Sequence, residues 1–148
     1  MLAVEYFSTP SMHLTLRADD ILEMAIPSTW KEPDTLETAQ ENVALLFQVL
    51  EGKNCAILVE PINNHLNREV LACYREVGKK STATALLTNS FSSRIVGNVY
   101  LKLMKMTKGT KRPTRPIKLF NNKEDATQWL LQCLKKKKAA AAKATMIQ

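Results

Sequence analysis

The segment that most constrains the fold is a continuous apolar run at positions 55–59, with the sequence Cys-Ala-Ile-Leu-Val. A strand with one face in water alternates apolar and polar side chains, whereas a strand covered on both faces is apolar throughout. Strands covered on both faces are typical of parallel sheets that have helices packed on them. The run therefore predicts an α/β fold in which it forms a central, buried strand.

Patterns on either side of this run extend the prediction. Residues 2–6 and 12–16 alternate apolar and polar side chains, and the turn between them predicts an opening β-hairpin. Ile21, Met24 and Ile26 predict a third strand that Pro27 ends, although their phase does not alternate strictly. Further on, helical periodicity alternates with two more short strands, at 82–87 and 117–120. The predicted order is β-β-β-α-β-α-β-α-β-α, a mixed sheet flanked by about four helices with right-handed parallel crossovers.

The same patterns predict where each helix starts and which side it buries. Asp34 and Glu37 have the spacing of a capping box for the first helix. The predicted caps of the other three helices are Asn67, then Asn89 or Ser90, then Asn121 or Asn122. The predicted buried stripes of the first, third and last helices are Leu36, Ala39, Val43, Leu46, Phe47 and Leu50; Phe91, Ile95, Val99, Leu103 and Met106; and Ala126, Trp129, Leu130, Cys133 and Leu134. Gly97, in mid-helix, predicts the close approach of another backbone.

Charge is unevenly distributed along the chain. Residues 1–101 carry 8 basic and 12 acidic side chains, whereas residues 102–148 carry 13 basic and 2 acidic ones. We expect a single domain over residues 1–134, since a chain of this length can build one ordinary core. The remaining residues, 135–148, form a Lys/Ala tail without an apolar stripe, which predicts a frayed helix or disorder.

One basic segment is dense enough to bind phosphates of nucleic acid or anionic lipid. It holds seven cations and no acid across 17 residues: Lys102, Lys105, Lys108, Lys111, Arg112, Arg115 and Lys118. Tyr100 is the one aromatic residue near it, so the stacking platform that single-strand binding needs is weakly supported. The simpler alternative is a solvated face that keeps the protein soluble.

The sequence lacks the motifs of several classes of functional site. The three cysteines are separated by 18 and 60 residues, which fits neither a disulfide framework nor a zinc site. The four glycines are too far apart for a dinucleotide fingerprint or a phosphate-binding loop. We therefore predict no catalytic residue, no metal and no cofactor. The N-terminus lacks a signal-peptide pattern and no apolar run approaches a membrane span, so we expect a cytoplasmic protein.

Two loops after predicted strands hold the candidate interaction residues, because ligands of parallel sheets bind near the carboxyl ends of the strands. The first loop contributes Asn63, Asn64 and His65. The alternative for it is a turn in which the asparagine side chains bond their own backbone.

The second loop, at the start of the third helix, contributes Asn89, Ser90 and Arg94. A helix N-terminus with an arginine can bind an anion, although helix capping by itself explains a serine there. A serine-dependent hydrolase using Ser90, Ser92 or Ser93 is a third alternative for the function of the protein.

Parts of the chain resemble the bacterial STAS-like (SpoIIAA-like) group of small proteins. The resemblance lies in residues 57–62 (ILVEPI), in 85–90 (ALLTNS) running into 94–98 (RIVGN), and in the ending from 116–120 (PIKLF) to 126–130 (ATQWL). It extends from about residue 20 to residue 134. The resemblance implies a fold with a mixed sheet of four to six strands and helices. It also implies that the protein is an interaction module rather than an enzyme.

The resemblance also implies a site that this sequence lacks. In anti-sigma antagonists of that fold, a partner kinase phosphorylates a serine where the loop after the central strand meets its helix. Here the junction at 63–67 is Asn-Asn-His-Leu-Asn, without serine or threonine. We therefore expect a non-enzymatic interaction or regulatory module, with an anion-binding protein as the alternative. The candidate partners are another protein, a second copy of the chain in a homodimer, and, less favoured, nucleic acid or anionic lipid.

Overall fold

A computed structural model describes residues 4–62, 67–105 and 115–147, and they form an α/β fold with one six-stranded mixed sheet. The elements in chain order are β1 (Glu5–Thr9), β2 (Met12–Leu16), β3 (Ile21–Ala25), α1 (Leu36–Leu50), β4 (Ala56–Val59), α2 (Arg68–Gly78), β5 (Thr84–Leu87), α3 (Phe91–Lys105), β6 (Ile117–Phe120) and α4 (Lys123–Ile147). This order confirms the predicted α/β class and the opening hairpin.

The strands lie side by side in the same order in which they occur in the chain. β1, β2 and β3 pair antiparallel, and β3 to β6 pair parallel. Ala56, Ile57 and Leu58 of β4 are buried, as their unbroken apolar sequence predicts, because helices cover both faces of this strand. β2 lies next to the edge strand β1. In β2, Met12 and Leu14 are buried, while His13 between them is exposed.

The helices divide unequally between the two faces of the sheet. α1 and α2 pack their apolar sides on one face, against Leu14 and Ile57, and α3 packs beside α2 through Val96 and Tyr100. α4 covers the other face, where Leu130 packs against Leu58. The three helices α1, α2 and α3 therefore form one layer over this face. Ligands of parallel sheets bind at the carboxyl ends of the strands, so we expect a ligand beside this layer at the ends of β3, β4 and β5.

The start of α1 differs from the prediction by one residue. Thr35 is the N-cap, its hydroxyl accepts from the Thr38 amide at 3.2 Å, and the Thr38 hydroxyl accepts from the Thr35 amide at 2.8 Å. Two overlapping pairs had the right spacing, and the threonine pair closes the reciprocal box. One carboxylate oxygen of Asp34 accepts from the Thr38 hydroxyl of α1, and the other accepts from the Tyr74 hydroxyl of α2.

The buried side of α1 is also shifted from the predicted stripe. Leu36 and Phe47, which were predicted to be buried, are exposed, whereas Asn42 and Val49 are buried. Asn42 lies one turn from Ala39 and one turn from Leu46, so it belongs to the same face of the helix. A buried amide side chain at that position needs hydrogen-bond partners inside the apolar layer.

The predicted stripe of α3 is wrong for every member whose side chain the structure describes. Phe91, Ile95 and Val99 are 77, 49 and 44% exposed. The opposite side, with Ser93 and Gly97 buried, faces inward because its small residues let the helix approach the sheet closely. A Cβ atom at position 97 would lie 2.6 Å from Cδ2 of Leu119. Gly97 thus marks a close approach, as predicted, but to a side chain instead of a backbone.

α4 agrees with its predicted stripe in Ala126, Leu130 and Leu134, which are buried. Trp129 and Cys133 flank this row and are half-buried. The Asn122 side chain accepts from the Asp125 amide at 2.7 Å and so caps the helix. The helix continues without a break through the Lys/Ala segment to Ile147.

One backbone position near the end of α1 gives a direct test of this geometry. Gly52 has a φ of +71°, a left-handed conformation, and nothing lies close to where its Cβ would be. Gly52→Ala is therefore expected to lower the free energy of unfolding by about 1–2 kcal/mol through backbone strain alone. Glu51→Ala, at the exposed neighbouring position, is the control for chemical denaturation. Equal stability of both variants and the wild type would contradict the left-handed turn.

Candidate functional site

A cavity lies between the sheet and the α1–α2–α3 layer. Its volume is about 90 Å³. Since a water molecule needs about 10–15 Å³ of such space, the cavity has room for several waters or a short chain of atoms. Its walls are mainly apolar, with Met12, Leu46, Ile57, Val77 and Leu86 among the lining residues.

One end of the cavity lies where β3 and β4 finish. The loops that follow these strands contribute Trp30, Glu32, Asp34, Glu60 and Ile62 to the lining. We call this end the mouth, because Glu32 is exposed and the other four residues are only half-buried. This is the carboxyl edge of the parallel strands, the edge at which the sequence analysis placed an interaction site.

A chain of hydrogen bonds connects the mouth to the interior. The Tyr74 hydroxyl donates to the Asp34 carboxylate at 2.7 Å and accepts from the Asn42 amide nitrogen at 2.9 Å. The same amide nitrogen donates to the Ser11 hydroxyl at 2.9 Å, and the Thr9 hydroxyl donates to the Asn42 oxygen. Asn42 is 2% exposed, so these partners satisfy an amide that would otherwise be costly to bury.

The two tyrosines of the cavity are held in the neutral form. Burial raises the pKa of Tyr74, the Asn42 hydrogen bond opposes this shift, and Asp34 adds to it. Burial also raises the pKa of Tyr100, whose hydroxyl donates to the Tyr74 carbonyl at 3.2 Å. Both phenols therefore act as hydrogen-bond donors in the cavity wall and are not bases at neutral pH.

The predicted interaction residues at the start of α3 form a local capping network. The Ser93 hydroxyl accepts from the Asn89 and Ser90 amides at 2.9 and 3.0 Å, and the Ser90 hydroxyl accepts from the Ser93 amide at 3.1 Å. These amides are thus already bonded within the protein. Ser93 is also buried, and Ser92 is exposed on the helix surface. The geometry favours a capping function for these serines.

Arg94 and Lys118, which the sequence analysis assigned to two different sets, line one surface groove. The groove lies between α3 and β6 and includes Asn98 and Asp125. The Lys118 ammonium lies 5.4 Å from the centre of the Phe120 ring. The groove therefore combines two cations, one carboxylate and an aromatic ring on the exterior of the protein, close to the exposed row of α3.

The other predicted residues are dispersed or lie outside the described part of the chain. Asn63, Asn64, His65, Lys108, Lys111 and Arg112 lie outside the described residues. Lys102 is exposed on α3, and Lys105 is the last residue of that helix. Arg115 is near α4, where burial, together with Arg115, lowers the pKa of Lys137. The basic segment therefore does not lie on a single face where the structure describes it.

Residues 4–62, 67–105 and 115–147 contain neither a metal-binding cluster nor a membrane-spanning helix. No group of three His, Cys, Asp or Glu side chains there is arranged to hold a metal ion. No helix in these ranges is long and apolar enough to cross a membrane. Cys55, Cys73 and Cys133 are free, and burial raises the pKa of the Cys55 and Cys133 thiols.

Comparison with known families gives one match. Residues 16–134 match the family described as "Domain of unknown function (DUF7793)". The chain belongs to the DUF7793 family. No curated protein and no solved structure matched the chain. The match starts at the end of β2 and finishes at Leu134, so the cavity walls from β3 onward lie inside this DUF7793 domain, as do α3 and its groove.

Sequence reasoning missed the polar chain, in which Asn42 and Tyr74 lie inside the DUF7793 domain and Thr9 and Ser11 precede it. Asn42 occupies a position in the apolar stripe of α1, between Ala39 and Leu46, and a polar residue in such a stripe is a usable signal. Its partners could not be identified in that way, because Ser11 and Tyr74 are 31 and 32 residues away in sequence. The cavity itself is formed by many elements at once, and no local pattern marks it.

Proposed function

We propose that the protein is a non-enzymatic interaction or regulatory module that docks a partner protein on the outward face of α3. This face consists of Phe91, Arg94, Ile95, Val99 and Lys102. The observation that carries the proposal is the row of three apolar side chains, of which Phe91 is 77% exposed. The row follows the i, i+4, i+8 spacing, so it forms a continuous stripe along the helix.

Physical reasons favour a protein as the occupant of this stripe. Single exposed apolar residues are common, but a contiguous patch with a polar rim is typical of interaction sites. Aromatic and arginine side chains, which this face combines in Phe91 and Arg94, are enriched among the residues that dominate binding energy. α3 contains three cations and no acid. The partner we propose is therefore an amphipathic segment with an acidic rim.

We further propose that the module works in the cytoplasm and that its resemblance to the bacterial STAS-like group extends to the fold. Its three free cysteines suit a reducing compartment. The six-stranded mixed sheet, with four helices, supports the proposed STAS-like fold. A homodimer through the same α3 face is less favoured, because it would bring the Arg94 and Lys102 side chains of two copies together.

The test compares two double variants of the full chain in quantitative capture from a lysate of the native cell. Phe91→Ala with Ile95→Ala is expected to lower capture of the specific partner at least tenfold, about the effect of losing two interface anchors. Leu36→Ala with Leu131→Ala is the matched control, because both leucines are similarly exposed, at 39 and 38%, but lie on α1 and α4. The control is expected to capture the partner as the wild type does.

A second set of measurements addresses the nature of the contact. Arg94→Ala is expected to weaken capture without changing stability, since Arg94 is exposed. Equal capture by the wild type and the Phe91/Ile95 variant would contradict the proposed face. Fluorophosphonate labelling of Ser90, Ser92 or Ser93 would contradict the non-enzymatic assignment.

The second candidate function is anion binding by the groove of Arg94 and Lys118. The observation that favours it is that the two cations line one groove. Binding to heparin, duplex DNA or vesicles with anionic lipid is then expected to weaken as the salt concentration is raised. The slope of log K against log salt should decrease by about 1 for each of the two cations that is replaced. Binding that is absent at low salt would exclude this function.

A further inference from the structure

We propose that the half of the sheet that α4 leaves uncovered, together with the lysine-rich side of α4, binds single-stranded nucleic acid. The bases would stack on Tyr6 and His13, and the phosphates would lie along the lysines of α4. This site is separate from the α3 face and from the groove of Arg94 and Lys118.

The helices leave part of one sheet face uncovered. α4 packs on β4, β5 and β6, and no other helix of the described chain lies on that face. Phe7 and Leu14 pair across β1 and β2 and point to the α1 side, so their neighbours along each strand point to the α4 side. These neighbours, which we call the open face, are Tyr6, Ser8, His13 and Thr15.

The open face presents two rings side by side. Tyr6 is 76% exposed, and His13 is also exposed. Tyr6 pairs with Thr15, so His13 is its diagonal neighbour, and such neighbours lie about 7–8 Å apart, within reach of aromatic side chains. Bases of single strands stack on tyrosine and histidine rings, and the hydroxyls beside the rings can bond to base edges. A surface of rings and hydroxyls suits bases better than it suits the apolar side of a partner helix.

α4 carries lysines along the border of the open face. The Lys123 ammonium pairs with the carboxylate of Glu23 in β3, the strand beside β2. Further along α4, Nζ of Lys138 lies 3.7 Å from Oδ2 of Asp20, in the turn before β3. Lys135 is one turn from Lys138, so it lies on the same side of the helix. This side of α4 therefore faces the open face.

The charge beside the open face matches phosphates. Asp19 bonds to Arg17 at 2.6 Å, and Glu23 and Asp20 bond to the lysines of α4, so the acidic groups here have partners within the protein. From position 126 to the end, the chain has five lysines and no acid. Three of these lysines are exposed on α4: Lys135, Lys136 and Lys143. A cationic row beside two rings corresponds to the phosphates and bases of one strand.

Other anionic partners fit this surface less well. A duplex holds its bases stacked inside, so it could use the lysines but not the two rings. An anionic membrane would need a helix with large apolar side chains on one face, and residues 135–143 of α4 are all lysine or alanine. The combination of rings and lysines therefore favours a single strand.

The experiment measures the fluorescence anisotropy of labelled strands of about 12 nucleotides, oligo-dT and oligo-rU, with the full chain. Both strands are expected to bind at low salt, because the rings and lysines contact groups that DNA and RNA share. Tyr6→Ala is expected to weaken binding at least about fivefold, whereas Tyr6→Phe keeps the ring and should bind as the wild type does. A duplex of the same length is the comparison, and its binding should not depend on Tyr6.

Matched variants separate stacking from charge. Phe91→Ala removes a ring that is 77% exposed on α3, and it should leave strand binding unchanged. Lys135→Ala with Lys136→Ala should lower the slope of log K against log salt by about 0.7 for each lysine. Lys79→Ala with Lys80→Ala removes the same charge from exposed positions at the end of α2 and should leave the slope unchanged.

Three results would overturn the proposal. The first is the absence of strand binding at low salt. The second is equal affinity of Tyr6→Ala and the wild type for both strands. The third is tighter binding of the duplex, or of vesicles with anionic lipid, than of either strand, which would assign the lysines to a partner that does not use the rings.

Discussion

Leu130→Ala is expected to lower the free energy of unfolding by about 2–5 kcal/mol, the range for deleting a fully buried leucine side chain. Leu130 is 0% exposed and lies where α4 crosses the sheet, in contact with the apolar cluster that includes Leu58 and Ala85. α4 is the only helix on this face in the described part of the chain. The loss cannot be relieved by a second helix moving inward, so we expect a value in the upper half of that range.

The adjacent residue supplies the control for that measurement. Leu131 is 38% exposed, so Leu131→Ala makes the same chemical change in the same helix turn but should cost less than about 1 kcal/mol. The two variants are compared by urea denaturation with a common m-value. Equal losses would mean that α4 is rotated by about one residue from the position described.

Element order was predictable because each element carries its own periodicity. The alternation of Met12, His13 and Leu14 predicts a strand with one exposed face. The unbroken apolar run of β4 between two polar loops predicts a strand buried on both faces. The parallel crossovers then follow from the order of elements and from chirality. These features depend on neighbours in sequence, which is why one sequence suffices to derive them.

The inward face of α3 was not predictable by the same reasoning. Hydrophobic periodicity selects Phe91, Ile95 and Val99, yet the side that packs carries Ser93 and Gly97. Small residues bury little apolar area themselves, but they allow a helix to come close to Leu119 of β6. That contribution depends on a strand more than 20 positions away in sequence, so it has no local pattern. The mismatch is itself informative, because it leaves an apolar row in solvent.

The candidate cavity was predictable only in position. The carboxyl edge of the parallel strands could be derived from topology, and the mouth lies there. Its chemistry comes from Trp30, Glu32 and Asp34 in the loop before α1, which has no repeating pattern. The polar chain through Asn42 joins residues from three elements, so it exists only once the helices have packed.

The stability of the protein is expected to fall steeply above about pH 9.5 because the cavity tyrosines stay protonated in the folded state. Burial raises the pKa of Tyr74 and of Tyr100 above their ordinary value of 10.0. Above that value the unfolded chain releases both protons while the folded chain keeps them, so unfolding becomes more favourable as pH rises. Each tyrosine contributes a slope of about 1.4 kcal/mol per pH unit.

Other groups shift in the same direction, so the comparison must isolate the tyrosines. The raised pKa values of the Cys55 and Cys133 thiols add to the slope from about pH 9, and Lys123, whose pKa is raised first by its hydrogen bond to Glu23, adds above 10.5. Tyr74→Phe should therefore reduce the wild-type slope by about 1.4 kcal/mol per pH unit above pH 10, whatever it costs at neutral pH. Tyr6→Phe, at a residue 76% exposed, should leave the slope unchanged. A Tyr74→Phe slope equal to that of the wild type would mean that this hydroxyl reaches solvent, and then the polar chain from Asp34 to Asn42 would not be closed.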